Sequence, residues 1–496
     1  MKKLIAILIS LTIVLGFSTT AFASSEKVNI EKIEFKNLDF IKGMDISSVI
    51  SLENSGVSFK NFNNEKEDLL KILSDNGVNC IRIRVWNNPF DKDGNGYGGG
   101  NNDIDTAVKI AERAAKYKLK LLIDFHYSDF WADPAKQKAP KEWENLTLAQ
   151  KTEKVKEFTK SSLEKIKTAG GEVAMVQIGN ETTNGIAGEY SKDNMAEIYK
   201  AGSSAVREFN KDIKIAVHFT NPENTEYIKS LADYLNEYKI DYDVFSTSYY
   251  PYWHGSLSNL TEVLSYAAEK YGKYVMVAET SYANTLDDTD GHANTVSPWN
   301  NCAGENLLWD FSYQGQADEL RAVMSAVNNV DNGKGLGVFY WEGAWISVGD
   351  TTGLGGKAYT ERLENNKKLW EEFGSGWASS YSKEFDPDDA GKYFGGSAVD
   401  NQAFFGADGK ALPSLRVFDY VSFGDGEILL GDADGNGKVN ILDTTVIQKH
   451  ISDGYSVNKK AADIDGDKLV TIKDATLIQK YRVKMKVDYP INTDVN

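Results

Sequence analysis

Short, nearly uninterrupted apolar runs recur along the chain at 40–46, 79–85, 119–125, 173–178, 213–218, 243–248, 274–278 and 337–341. A strand covered on both faces reads this way, because neither of its sides meets water. Between the runs the period changes. Over 103–117 the apolar positions fall at Ile104, Ala107, Ile110, Ala111 and Ala114, one face of a helix. Eight strand-like runs in series with amphipathic helices predict an α/β fold, a (β/α)8 TIM barrel, rather than an open doubly wound sheet, for no glycine-rich phosphate fingerprint follows the first run. The pattern predicts a barrel over 38–423, after an N-terminal segment at 24–37.

The first residues read differently. Met1-Lys2-Lys3, an apolar run over 4–17 and Ala21-Phe22-Ala23 form a secretory signal peptide, 1–23. The run is shorter than the ~20 residues of a spanning helix, so a secreted, extracellular protein with no membrane span is expected. Composition agrees with a folded chain: 496 residues, 41% hydrophobic, with a net charge of −17 that makes nucleic acid an unfavourable partner. Cys80 and Cys302 are too few for a disulfide framework, and neither HExxH nor CxxC occurs, which argues against a zinc enzyme. Residues 431–496 hold ten Asp against nine Lys and one Arg, so the acidity belongs to the barrel.

After a short junction, 424–430, the region 431–490 contains a duplication, followed by a tail, 491–496. Asp432, Asp434, Asn436, Lys438, Asn440 and Asp443 form the first copy; Asp463, Asp465, Asp467, Leu469, Thr471 and Asp474 form the second. They occupy loop positions 1, 3, 5, 7, 9 and 12, with Lys438 and Leu469 offering backbone carbonyls, the oxygen set that a hard cation collects. Helix-like stretches follow at 444–451 and 475–481. The duplication resembles a dockerin, a small all-α module. That resemblance implies two bound Ca²⁺ and a cohesin module of a scaffold protein as partner, selected in part by Ile441-Leu442 and Ile472-Lys473. Asp91-Lys92-Asp93-Gly94-Asn95 begins in a similar way, but its twelfth position is Asn102 and it follows a strand, so it reads as an ordinary glycine-rich loop.

Barrel enzymes carry their chemistry at the C-terminal ends of strands. Glu181 closes the fourth run and Glu279 the seventh. Glycoside hydrolysis needs two carboxyl groups across one bond, one protonated and one ionised. Asn180-Glu181 with Glu279 is the arrangement of a large retaining glycosidase clan. Within that clan, Gly43-Met44-Asp45-Ile46-Ser47-Ser48, Arg82-Ile83-Arg84-Val85-Trp86, the segment Asp124 to Pro134, Tyr249-Tyr250-Pro251-Tyr252-Trp253 and Tyr340-Trp341-Glu342 resemble the endo-β-1,4-galactanases of glycoside hydrolase family 53.

The resemblance implies Glu181 as acid/base, Glu279 as nucleophile, galactan as substrate and no cofactor for catalysis. Asn180 is suited to a sugar 2-hydroxyl, and Arg84 to keeping Glu279 ionised. Tyr249 is expected to contact the nucleophile, with Tyr250 as the alternative. His126 and His218 read equally as sugar contacts or satisfied core histidines. Trp86 and Trp341 are candidate stacking platforms, and Asp133 and Lys136 candidate hydroxyl binders. Asp288, Asp290, His292 and Asn294, with Ser397 and Asp400, resemble a calcium site tying the last long loops of bacterial members together. A monomeric barrel is expected. The glutamates alone leave open xylan, mannan or cellulose as polymer, or a catalytically silent carbohydrate-binding subunit.

Overall fold

The computed structural model describes residues 27–300, 307–426, 428–455 and 457–495. The expected signal peptide and Cys302 lie outside them. Eight parallel strands close in sequential order: β1 (Ile41–Asp45), β2 (Cys80–Val85), β3 (Lys120–Phe125), β4 (Glu172–Ile178), β5 (Lys214–Phe219), β6 (Val244–Ser248), β7 (Tyr274–Thr280) and β8 (Gly335–Tyr340). The barrel expected from the apolar runs is present, each strand within a few residues of its run. β1 pairs with β8 in register, Gly43 beside Phe339. A Cβ at Gly43 would lie 2.2 Å from the Phe339 ring, so only glycine lets that ring fill the barrel axis. Cys80, Leu122, Met175, Ala216, Met276 and Phe339 are among the residues packing this interior; Cys80 carries a free, buried thiol.

The helices wrap the sheet: α1 (Val49–Asn54), α2 (Leu69–Asp75), α3 (Ile104–Lys116), α4 (Leu148–Thr168), α5 (Lys192–Phe209), α6 (Thr225–Glu237), α7 (Leu257–Tyr271), α8 (Tyr313–Asn328), α9 (Gly356–Phe373), α10 (Ala390–Tyr393) and α11 (Val417–Phe423). Their starts are legible in side chains. Asp103 caps α3 through the Thr106 amide, and Thr147 and Gln150 form a reciprocal box on α4, each such cap stabilising by about 1 kcal/mol. The main core lies between sheet and helices, where Ile110, Ala111 and Ala114 of α3 are buried as their spacing predicts. The N-terminal segment packs on the outside of the barrel: Ile33 N donates to Val421 O, and Lys36 N to Asn328 Oδ1.

The C-terminal unit has its own core, built from Leu430, Val439, Ile447, Ile464, Ala475, Ile478 and Ile491 among others. Its helices are α12 (Ile441–Asp453), α13 (Lys459–Ala462) and α14 (Ile472–Arg482). α12 and α14 begin inside the loops, at position 10, because Asn440 with Asp443 and Thr471 with Asp474 form capping boxes. The ends of the unit meet: Leu430 N donates to Thr493 O and Val495 N to Ile428 O. Residues 428–430 of the expected junction and 492–495 of the expected tail therefore pair to close this unit.

Candidate active site

Both glutamates stand at the C-terminal rim of the barrel. The chain leaves β4 through Gly179, with φ 80°, and Glu181 itself has φ 44°, a left-handed conformation uncommon for a long side chain. Asn180 is pinned beside it, its Oδ1 accepting from Arg82 Nη2 at 2.9 Å and its Nδ2 donating to Ala132 O at 2.8 Å. The Glu181 amide donates to His218 Nδ1 at 3.3 Å, leaving His218 Nε2 to bond Ser248 Oγ at 2.9 Å. Ser248 Oγ in turn donates to Glu181 Oε1 at 2.6 Å. Ser248 also sits opposite Glu279 in the β6–β7 ladder. One short strand end thus lies beside both glutamates.

Glu279 is held from two sides. Its Oε1 is 2.7 Å from Arg82 Nη2, and its Oε2 accepts from Tyr250 Oη at 3.1 Å. Arg82 is buried and also binds Asp45 Oδ2 at 2.9 Å and Asp124 Oδ2 at 2.8 Å. The two environments separate the glutamates electrostatically. Burial, and then the neighbouring Glu279 charge, push Glu181 up to about 8. Burial also raises Glu279, but the Arg82 guanidinium opposes it. Glu181 is therefore the carboxyl that keeps a proton at neutral pH, the separation of paired acids that hydrolytic sites require.

Several expected contacts are corrected. Arg84 does not reach Glu279; it binds Glu342 on β8's exit and the Gly99 carbonyl, and Arg82 takes the place beside Glu279. Tyr249 is buried with its hydroxyl donating to Gly255 O, and its neighbour Tyr250 meets the glutamate. Trp86 is 0% exposed and donates through Nε1 to His126 Nδ1, so neither ring face is open to a sugar. His126, with Nε2 3.0 Å from Asp124, and His218 are both buried with their nitrogens engaged, which favours the satisfied-core alternative. Lys136 turns away to Asp386 and Asp389. Asp133 remains half-buried near Glu181, whose proton its charge helps to retain.

The open aromatic surface is built around Trp341. Its ring centroid lies 6.1 Å from Trp131 and 6.2 Å from Trp345, while the Arg84 guanidinium sits 4.4 Å from the Trp131 centroid. Sequence reasoning missed Arg82, Asp124, Ser248 and Trp131 as members of the site. Arg82 and Arg84 share one strand face by their period of two, and only the closed register separates their partners.

Three carboxylate groups among the described residues could hold a cation: Asp288 with Asp290 and Asp400, Asp432 with Asp434 and Asp443, and Asp463 with Asp465 and Asp467. In the first, burial and mutual repulsion raise Asp290 well above the carboxylate range and Asp400 to about 6. Asn294 donates to Asp400 Oδ1 but leaves its own Oδ1 buried without a partner, an acceptor fit for a metal. Ser397 contributes an amide to Asp290, and His292 packs edge-on against Trp370. In the second, Asp432 accepts the Asn436 and Gly437 amides, and burial raises Asp443 to about 6. In the third, Lys473 pairs with Asp465, and Asp474 accepts the Ile464 and Thr471 amides. The Asp91 loop forms a tight turn closed by Asn95 and contributes to no such group.

Known proteins place the geometry in a family. Residues 41–418 match the model of glycosyl hydrolase family 53, and residues 430–481 that of the dockerin type I domain. The endo-beta-1,4-galactanase of Bacillus subtilis (strain 168) is 54% identical over 400 residues, 81% of this chain and 90% of that one. The arabinogalactan endo-beta-1,4-galactanase of Humicola insolens is 34% identical over 62% of this chain and 90% of its own length. Among solved structures, the family 53 catalytic domain of Ignisphaera aggregans is 35% identical with a TM-score of 0.68, covering 79% of this chain and 99% of that one. The chain belongs to glycosyl hydrolase family 53 and is a glycoside hydrolase that carries a C-terminal type I dockerin domain.

Proposed function

We propose that the enzyme is a secreted endo-β-1,4-galactanase that cuts the (arabino)galactan side chains of pectin by double displacement with retention. The observation that carries this reading is the unequal pair: Glu279 clamped by Arg82 and Tyr250, and Glu181 raised to about 8 under Ser248. Glu279 attacks the anomeric carbon while Glu181 gives its proton to the leaving oxygen; Glu181, now a base, then takes a proton from the water that releases the sugar. Arg82 keeps the nucleophile's negative charge favourable, and Tyr250 orients one of its oxygens. Asn180 presents its amide to the 2-hydroxyl, and Trp341 with Trp131 offers rings to the apolar faces of galactose. The 54% identity to a galactanase supports galactan over the other polymers.

The dockerin attaches the enzyme to a cohesin-bearing scaffold, as in a cellulosome, with one Ca²⁺ in each of its loops. A third Ca²⁺ suits Asp288, Asp290, Asn294 and Asp400, since burying Asp290 and Asp400 without a counter-charge is otherwise costly. The barrel acts as a monomer. Assaying the full chain on galactan, xylan, mannan and cellulose, and following the anomeric form of the first products by NMR, tests the reading. Reducing ends from galactan, released first as the β-anomer, are expected. Release from another polymer alone would replace the substrate, and first release as the α-anomer would replace the mechanism.

A further inference from the structure

We propose that the dockerin is a seated part of this enzyme, fixed on the barrel's N-terminal end by its first calcium loop and α13, so that filling that loop stabilises the barrel itself. The coupling rests on the calcium reading above; the seating rests on contacts. Lys459 of α13 donates through Nζ to Ser74 O at 3.1 Å and to Ser74 Oγ at 2.8 Å, and lies 3.6 Å from Asp75 Oδ1. Ser74 and Asp75 end α2, on the rim opposite the glutamates. The Asp419 carboxylate of α11 feels the positive charges of Lys42 and Arg416 of the barrel and of Lys459 and Lys460 of the dockerin.

The loop takes part through its backbone. A Cβ at Gly435, position 4 of the first loop, would lie 2.7 Å from Phe423 Cδ1, so the loop rests directly on the last barrel helix. The same Phe423 ring has the buried Lys42 ammonium 5.8 Å from its centroid on the barrel side. Asp432 organises the loop around Gly435 by accepting the Asn436 and Gly437 amides. An ion held by Asp432, Asp434 and Asp443 would fix this loop, and with it the surface that meets Phe423. The connection from Phe423 to Ile428 spans at most roughly 3.5 Å per residue, which keeps the local concentration of the two surfaces high enough for modest contacts to hold. Ile441, Leu442 and Ile472, 58%, 56% and 59% exposed, point elsewhere and stay open to a partner.

The chain supplies its own reporter, because all ten tryptophans lie in the barrel, between positions 86 and 377. Tryptophan-fluorescence melting of the full chain at saturating calcium therefore reads the barrel alone, with the barrel's own calcium group kept loaded. Asp432→Ala is expected to lower that midpoint by on the order of 2 °C, and to lower it no further in a Lys459→Glu, Phe423→Ala background. Calorimetric titration counts the calcium bound by each variant. Small-angle scattering should give a compact wild type and a larger maximum dimension for the Lys459→Glu, Phe423→Ala protein. An unchanged midpoint despite one fewer calcium bound overturns the coupling while leaving the calcium reading intact. No loss of calcium in Asp432→Ala overturns the calcium reading and the coupling with it. Identical scattering from wild type and the double variant overturns the seating.

Discussion

At the scale of single residues, two neighbours divide their labour by what lies beside them. Tyr250 reaches Glu279 and Tyr249 does not. Tyr250→Phe is expected to lower kcat about 10- to 100-fold, the worth of one hydrogen bond to a charged group, whereas Tyr249→Phe should leave kcat near wild type and cost about 1 kcal/mol of stability; kinetics and chemical denaturation of both variants check this. In the proposed mechanism Glu181 must hold its proton to donate it. With its pKa raised to about 8, that proton is present through neutral pH and lost above it, so kcat/KM on galactan should fall as pH rises through about 8. In Glu181→Gln the remaining activity, down by roughly 10²- to 10⁴-fold, should lack that alkaline limb. The glutamates' places at the barrel rim were legible in the sequence, since each ends a long apolar run. Their neighbours were not: Arg82 and Arg84 differ by one inward step on the same strand, and a period of two makes them equivalent until the barrel closes.

At the scale of elements, the strand positions were readable because a two-sided burial leaves few polar interruptions, and the helix starts because Asp103 and Thr147 are capping residues. The loops were less so. Trp86 reads as a platform from its place after a strand, yet Trp131, Phe130 and the Arg84 guanidinium close around it, which only the folded loops could reveal. The seventh and eighth βα loops meet at Asp290, Asn294 and Asp400, where Asp290 also accepts the Ser397 amide. Removing the proposed calcium should therefore separate these loops. Chelation is expected to lower the barrel's tryptophan melting midpoint, and Asp290→Asn to abolish part of that response; a barrel whose midpoint ignores chelation would refute a calcium tie there.

At the scale of the whole molecule, docking and catalysis are expected to differ in how far they depend on the cation. Chelation should abolish cohesin binding, measured by native gel shift against a cohesin panel, while galactan hydrolysis at moderate temperature persists. The duplication made this unit legible from spacing alone, but not its closure by pairing of 428–430 with 492–495, since short edge segments carry no periodic signal. The closed ring of parallel strands has a wider consequence. Every strand points the same way, so the molecule has two unlike poles, with the glutamates at one and Ser74, Asp75 and Phe423 at the other. Loops can lengthen at the first pole to suit a new polymer without crowding the second. Selection on what the enzyme cuts and selection on where it is moored can then proceed separately, within one uninterrupted chain.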